Sequence, residues 1–515
     1  MEEITLDEKE ESQLNNKKPG VKKNYFYNLS YQIFLLIIPL ITTPYVSRIL
    51  LADGVGKYSF SVSLITYFTI FAALGFGYYA QREIAKHQND IKRQTEVFWE
   101  INICKLLPVF IALLTNIILC SLNVYQGYNI LMWILNINIL TVAFDINFFF
   151  QGNENFKSII IRNFVIKTLA IISIFIFVKK DSDVWVYTLI NSASAFLSMV
   201  SMWVPIRKMI VKINFKEIKP FRHLKGTLIL FLPTIAVSIY TILDKTLIGV
   251  LIKDTYTALD ENGVEAIKKY SDLENGYYEQ TEKIVKMAMT VITSIGIVMI
   301  PRNSNEIAKG NYDKVIDNIK KTSMFVLFIG IPMTLGLIVC SDLIVPWFFG
   351  DGFDKCKTLI KIMSPLIVII GFSNVFGLQF LIPSGRDKQF TVALIIGAVT
   401  NLALNLIFIN FWWSVGAAIA TIVAEFVVTA SMAIMIRKDL NIFKVLANGW
   451  KYYIAGGIMF VSIFFIAKYF SPTIWMTILL AIIGATIYFL SLLILREKIL
   501  LQILNKIFSF IKKRK

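Results

Sequence analysis

Fourteen stretches of about twenty predominantly apolar residues run through this chain, and segments of that length leave few folds open. Their limits read 25–49, 57–80, 99–121, 128–150, 159–178, 185–204, 228–252, 284–300, 322–340, 358–382, 390–410, 414–436, 452–470 and 475–495. Hydrocarbon offers no partner to a backbone N–H or C=O, so a spanning segment must satisfy itself as a helix or close into a barrel. These runs lack the alternation of barrel strands. The remaining composition agrees: 56% of the 515 residues are hydrophobic and only 17% charged, with a mean hydropathy of +0.64. No polar window longer than about thirty residues offers a soluble domain. The expectation is an all-α polytopic membrane protein with about fourteen transmembrane helices.

A formal charge of +17 would point to nucleic acid in a soluble chain, but here the basic residues gather in short connections between apolar runs. With the N-terminus in the cytoplasm, 35 Lys and Arg fall in cytoplasmic segments and 8 in outer loops. That bias places both ends in the cytoplasm. "EIAK" recurs at 83–86 and 306–309, six helices apart, and the Gly turns "FFFQGNENFK" (148–157) and "LIPSGRDKQF" (381–390) recur at the same offset. An even offset preserves orientation, so the pattern predicts a parallel repeat of two six-helix lobes with a central cavity and two appended helices.

The expected organisation is a cytoplasmic tail over 1–23, a first lobe over 24–204, a cytoplasmic linker over 205–227 and a second lobe over 228–436. The appended helices occupy 452–495. The tail 496–515, "REKILLQILNKIFSFIKKRK", reads as an interfacial amphipathic helix suited to anionic membrane lipids. The N-terminal tail has no small-residue cleavage site, so the first span is expected to stay in the product. Cys104, Cys120, Cys340 and Cys356 show no metal spacing and read as free thiols, with pairing of Cys340 and Cys356 left open.

An enzyme would need catalytic groups in an organised outer loop. The two histidines, His87 and His223, fall in cytoplasmic connections, and the "DSD" at 181–183 lies in a loop too short to surround a sugar nucleotide. Neither a catalytic residue nor a metal site is expected. Transport needs ionisable groups inside spans, and these are present. Arg48, Lys245 and Lys286 lie toward the outer side, Lys105 and Lys167 toward the cytoplasmic side, and all five are candidates for a cationic cavity that holds an anionic headgroup. Snorkelling to the interface competes with that role for Lys105 and Lys286. Asp145, Asp244 and Glu425 are candidates for proton or sodium coupling, or for neutralising partners. Asp244 and Lys245 point about 100° apart on a helix, so each is expected to find its partner elsewhere. Pro39 and Pro233 hold matching places in the two repeats and are candidate hinges.

Several of these stretches resemble one family. "IIPLITTPYVSRILLADGVGKYSF" (37–60), "FDINFFFQGNENFKSIIIRNFVIK" (144–167), "LDKTLIG" (243–249), "MIPRNSNEIAKGNYDKV" (299–315) and the segments within 382–429 are similar to the polysaccharide repeat-unit flippases. These form the Wzx-type branch of the multidrug/oligosaccharidyl-lipid/polysaccharide exporter superfamily. The resemblance runs from about residue 24 to 440. It implies a MATE-like fold, both termini cytoplasmic, and movement of undecaprenyl-diphosphate-linked oligosaccharides from the inner to the outer leaflet of the bacterial cytoplasmic membrane. The product would feed capsule, exopolysaccharide or O-antigen-type assembly alongside polymerase and chain-length machinery. It implies no cofactor beyond a coupling proton or sodium ion. By motif position it assigns Arg48, Asp145, Asp244 and Lys245 to the transport path, and it assigns nothing to Lys286 or Glu425. A peptidoglycan-precursor (lipid II) flippase and a cation-coupled drug exporter of the same fold are the alternatives.

Overall fold

The computed structural model describes residues 21–153, 155–259 and 265–502, nearly all of them helical. The expected N-terminal tail up to residue 20 and the amphipathic tail from 503 lie outside the described residues. The main helices are α1 (Val21–Ala73), α2 (Phe76–Lys86), α3 (Ile91–Ser121), α4 (Asn129–Phe144), α5 (Asn147–Gly152), α6 (Phe156–Phe177), α7 (Val184–Ser201) and α8 (Leu224–Leu251). A hairpin of β1 (Thr255–Leu259) and β2 (Glu265–Lys269) follows. Then come α9 (Tyr270–Ala308), α10 (Tyr312–Phe348), α11 (Asp354–Met363), α12 (Leu366–Phe376), α13 (Asp387–Met435), α14 (Trp450–Ala467) and α15 (Ile474–Ile494).

Among the described residues, eleven helical segments are long and apolar enough to cross a membrane. Two of them, Leu36–Ala73 and Asp387–Met435, carry two expected spans each, joined without a loop at Leu51 (φ 56°, ψ −179°) and Trp413 (φ 54°, ψ −127°). Left-handed backbone at a side-chain-bearing residue costs about 1–3 kcal/mol, so both corners need support from neighbours. The seventh expected span is α8. The fourth and tenth depart from the expectation of unbroken helices. One stops at Phe144 and resumes at Asn147, and the other stops at Met363 and resumes at Leu366.

The long helices are predominantly apolar, as lipid-facing helices must be. On α3 the exposed side is Leu106, Leu107, Phe110, Leu114 and Ile118, and the buried side carries Cys104, Lys105, Pro108, Ala112 and Asn116. Small and polar groups thus turn inward while large hydrocarbon faces the bilayer, the reverse of a soluble helix. The same holds in α13, where Gly397, Asn401, Asn405, Gly416, Ala420 and Ala424 are buried. A Cβ at Gly416 would collide with the Phe408 carbonyl, so the chain can double back past Trp413 only with glycine there.

The chain forms two compact units. One comprises the chain up to Thr246 together with Tyr256–Lys268, the other Leu247–Thr255 and everything from Lys269 on. The division therefore falls inside α8, with the linker 205–227 in the first unit and the two appended helices in the second. In the first unit α4 packs on α3 and α7, and Tyr45 Oη on α1 donates to the Val178 carbonyl at 2.6 Å. On the second unit α14 and α15 lie against α10, fixed by Tyr488 Oη donating to the Phe328 carbonyl at 2.9 Å and Trp347 Nε1 donating to Thr477 Oγ1 at 2.8 Å.

The repeated turns are built alike. After the first "EIAK", Gln94 Nε2 donates to the Ile84 carbonyl (3.2 Å) and to Asn153 Oδ1 (3.0 Å), tying α2 to the turn after α5. Beside the second, Asn318 Nδ2 donates to Asn303 Oδ1 (3.0 Å) and Asn303 Nδ2 to the Gln379 carbonyl (2.9 Å). A side-chain amide from the first turns of the following helix thus ties each of these ends together. All four cysteines are buried free thiols, so the Cys340–Cys356 pairing left open by the sequence is absent.

Glu274 supports the Trp413 corner. It is 3% exposed, accepts Lys355 Nζ on both oxygens at 2.6 and 2.7 Å, and accepts from the Ser414 amide (3.2 Å) and hydroxyl. Lys355 Nζ also lies 5.2 Å from the Trp413 ring centroid. Removing one member of a buried pair costs about 3–5 kcal/mol, against roughly 0–1 for an exposed one. Glu274→Ala is therefore expected to lower the melting temperature of the purified protein clearly, while Lys321→Ala, whose partner Asp317 is likewise exposed, leaves it nearly unchanged. Thermal unfolding in detergent, followed by tryptophan fluorescence, measures both.

Candidate functional site

The ionisable residues singled out in the sequence end up in four different environments. Lys105 is 2% exposed on α3. Its Nζ donates to the Asp145 backbone carbonyl at 2.7 Å and to Asn102 Oδ1 at 3.2 Å, and sits 5.7 Å from the Phe148 ring centroid. Asp145 closes α4, and its carboxylate accepts the Asn147 amide at 2.9 Å, the first N–H of α5. Trp203 Nε1 donates to the neighbouring Phe144 carbonyl at 2.9 Å. Breaking a helix in a membrane frees carbonyls and amides that lipid cannot satisfy. Here an ammonium, an indole and a carboxylate supply the missing partners. The structure brings Lys105 and Asp145 together, with Lys105 committed to the broken backbone.

Asp244 is buried and Lys245 half-buried on α8. The next residue, Thr246, accepts from Tyr67 Oη at 3.1 Å and donates to Ser63 Oγ at 3.0 Å. A polar seam thus joins α1 to α8 beside the two charges. Beneath Tyr67 a cleft of about 320 Å³ opens between α1 and α3, lined by Tyr67, Phe68, Phe71, Ile111, Ala112 and Thr115. Arg48 is exposed on α1, three residues before the Leu51 corner, with Nη1 3.5 Å from the Pro44 carbonyl.

Lys167 is half-buried on the lipid-length helix α6, and Glu425 half-buried on α13. Lys286 is exposed and pairs along its own helix with Glu282 at 2.7 Å, the ordinary arrangement of an i, i+4 neighbour. Pro39 is half-buried within α1, but the non-helical break of that helix is at Leu51. Pro233 falls in α8, with its side chain outside the described residues. In the "DSD" loop, Asp183 accepts from the Lys179 and Lys180 amides at 2.8 and 2.9 Å, which makes it a turn cap. Among the described residues, no group of three or more His, Cys, Asp or Glu is placed to hold a metal ion.

Three buried carboxylates escaped the sequence reading because their partners are far away in the chain. Asp53, just past the Leu51 corner, pairs with Lys268 of β2 at 3.0 Å. Glu274 holds the other corner, as described above. Glu100 on α3 meets Arg222 and His223, more than 120 residues later. Nothing local marks such a group except a carboxylate near one end of an apolar run.

The fold and these intramembrane charges define a multi-pass membrane transport protein of the MATE-like architecture. Solved structures share that fold. A structure titled lipid II flippase MurJ, inward closed conformation, matches with a TM-score of 0.61 at 16% identity over 90% of this chain and 99% of that one. An inward-facing multidrug resistance MATE family transporter matches with a TM-score of 0.59 at 15% identity over 79% and 99%. The model of the family described as "Polysaccharide biosynthesis protein" matches residues 21–307, and the MatE model matches 278–407. The chain belongs to the polysaccharide biosynthesis protein family. A relative described as an O-antigen transporter in Escherichia coli (strain K12) is 24% identical over 433 residues, 83% of this chain and 99% of that protein. Another so described, from Shigella dysenteriae, is 21% identical over 77% of this chain and 95% of its own length.

One charged cluster outside the spans has a titration that can be signed. Arg386, just before α13, donates to both oxygens of Asp439 at 2.6 and 3.1 Å, and Tyr312 Oη donates to the same carboxylate at 2.8 Å. The guanidinium holds the Asp439 carboxyl below its ordinary value of 3.8. A depressed carboxylate stabilises the fold above its unfolded pKa and loses that contribution as pH falls through the folded value. Asp439→Asn is therefore expected to be less stable than the parent at neutral pH, with the gap closing below about pH 4. Thermal unfolding of both proteins between pH 7 and 3 checks it.

Proposed function

We propose that this protein is a flippase for lipid-linked oligosaccharides, carrying undecaprenyl-diphosphate-linked repeat units from the inner to the outer leaflet by alternating access. The observation that carries the reading is membership of the polysaccharide biosynthesis protein family, together with near full-length similarity to proteins described as O-antigen transporters. The physical argument supports it. Moving a diphosphate and several sugars unaided through hydrocarbon would cost on the order of tens of kcal/mol, because each ion and hydroxyl would lose its water without replacement. A path lined with cations and hydrogen-bonding groups lowers that barrier.

In this reading Arg48 and Lys245 meet the diphosphate, and the Ser63–Thr246–Tyr67 seam offers hydroxyls alongside. Lys167 is a further cation at the cytoplasmic half. Asp244 and Glu425 are assigned to a coupling ion or to neutralising partners. Lys105 and Asp145 hold the α4–α5 break that shapes the path, and Lys286 contributes field from outside it. The protein acts in the bacterial cytoplasmic membrane with both termini inside, supplies a polymerase with its chain-length partners, and performs no chemistry on its cargo. The basic linker and tail face anionic lipid headgroups.

The test is reconstitution in liposomes with a radiolabelled undecaprenyl-diphosphate oligosaccharide, scoring transbilayer movement with and without proton and sodium gradients. Movement is expected, with Arg48→Ala and Lys245→Ala reducing the rate at least tenfold and Lys468→Ala, at an interface in an appended helix, leaving it near the parent value. Absence of movement under every gradient by folded protein, or equal effects of the three substitutions, would overturn the reading. Running lipid II and a cationic dye in the same assay separates the two alternatives.

A further inference from the structure

His223 is buried at the junction of the cytoplasmic linker and α8, 3% exposed, and both its ring nitrogens are engaged. Nδ1 lies 2.9 Å from Tyr79 Oη on α2, and Nε2 lies 2.9 Å from Glu100 Oε2 on α3. Glu100 is 1% exposed. Its other oxygen accepts the Lys219 amide at 2.8 Å, and Arg222 donates to the oxygen that faces His223. The Tyr79 ring meets the imidazole edge-on at 5.6 Å and fills the space where Gly226, in the first turn of α8, lacks a Cβ. The start of α8, the linker, α2 and α3 thus converge on one imidazole.

We propose that Tyr79, His223 and Glu100 form a proton-binding site. In the neutral ring Nε2–H donates to Glu100 and Nδ1 accepts from the Tyr79 hydroxyl. A proton taken from the cytoplasm adds to Nδ1, which then donates to Tyr79 Oη while the phenolic hydrogen turns away. The Nε2–H bond to Glu100 is kept and becomes a bond between opposite charges. Both states satisfy every ring nitrogen without a backbone movement, and histidine is the side chain whose charge changes in the physiological range.

The charged surroundings lean positive, four cations against three carboxylates, with Lys219 and Lys225 nearby in the chain adding to the excess. On α3, Arg93 pairs with Glu96 at 2.5 Å and reaches Glu100 at 3.4 Å, with Cys104 one turn further in. On α2, Glu83 is shared by Lys86 at 2.8 Å and Arg82 at 3.9 Å. From the linker, Arg222 Nε–H is directed at His223 Nε2 from 3.3 Å, so this nitrogen faces a competing donor beside Glu100, and the guanidinium is 41% exposed. Arg222 is therefore the group that both competes with the proton for Glu100 and connects the site to solvent. α8 begins at this site and carries Asp244 about 30 Å further along at helical rise. Proton occupancy at its cytoplasmic end thus acts on the helix that carries Asp244 and Lys245, whichever lipid is transported.

The chain has only two histidines, so ¹⁵N-histidine NMR of the full-length His87→Asn protein in nanodiscs reports His223 alone. The expected signal is the Nε2–H tautomer with a hydrogen-bonded Nδ1 at pH 8, converting to imidazolium on acidification toward pH 5 while the protein stays folded. Glu100→Gln should move the midpoint down by about one pH unit, a tenfold loss of proton affinity. Tyr79→Phe gives the independent check from the other nitrogen and should abolish the Nδ1 hydrogen-bond signature. A ring that stays neutral through pH 5 in folded protein, or a midpoint unmoved by both substitutions, would overturn the proposal.

Discussion

Hydrocarbon cannot hydrogen-bond, and the architecture follows from that one restriction. Helices satisfy their own backbones and span freely, so the chain is helical almost throughout. Wherever a helix is interrupted, the exposed carbonyls and amides need side-chain partners. Lys105, Trp203 and the Asp145 carboxylate serve the α4–α5 break, and Glu274 with Lys355 serves the Trp413 corner. A broken helix is expensive in lipid, and its backbone groups are tolerated only where protein covers them.

The spans could be read because apolar length is a local property and survives any tertiary rearrangement. The repeated "EIAK" could likewise be read locally, and each copy lies near a side-chain amide of the helix that follows it, Gln94 bonding the Ile84 carbonyl in one unit and Asn318 bonding Asn303 in the other. The breaks were not legible. Asp145 looks in sequence like an intramembrane acid and Lys105 like an intramembrane cation, and composition does not reveal that they meet at an interrupted backbone. Pro39 drew attention as a hinge, yet the corner of α1 is at Leu51, where a left-handed residue rather than a proline turns the chain. Glu100 and His223 are 123 residues apart, and no window that finds spans could join them.

The family assignment and the charges reinforce each other in different ways. Similarity over residues 21–307 places the chain among polysaccharide biosynthesis proteins, and α8 carries a buried Asp244 beside a half-buried Lys245. Such groups persist where they meet a charged ligand or a partner. The central claim is that this ligand is the diphosphate of a lipid-linked glycan.

The measurement closest to that claim is equilibrium binding to the purified protein in nanodiscs. Undecaprenyl-diphosphate oligosaccharide would be compared with the same oligosaccharide on an uncharged lipid, each titrated across a range of salt. The account predicts salt-sensitive binding of the diphosphate lipid that is lost in Lys245→Ala, with the uncharged lipid bound at least tenfold more weakly. Equal affinity for the two lipids, unchanged by salt or by the substitution, would contradict it.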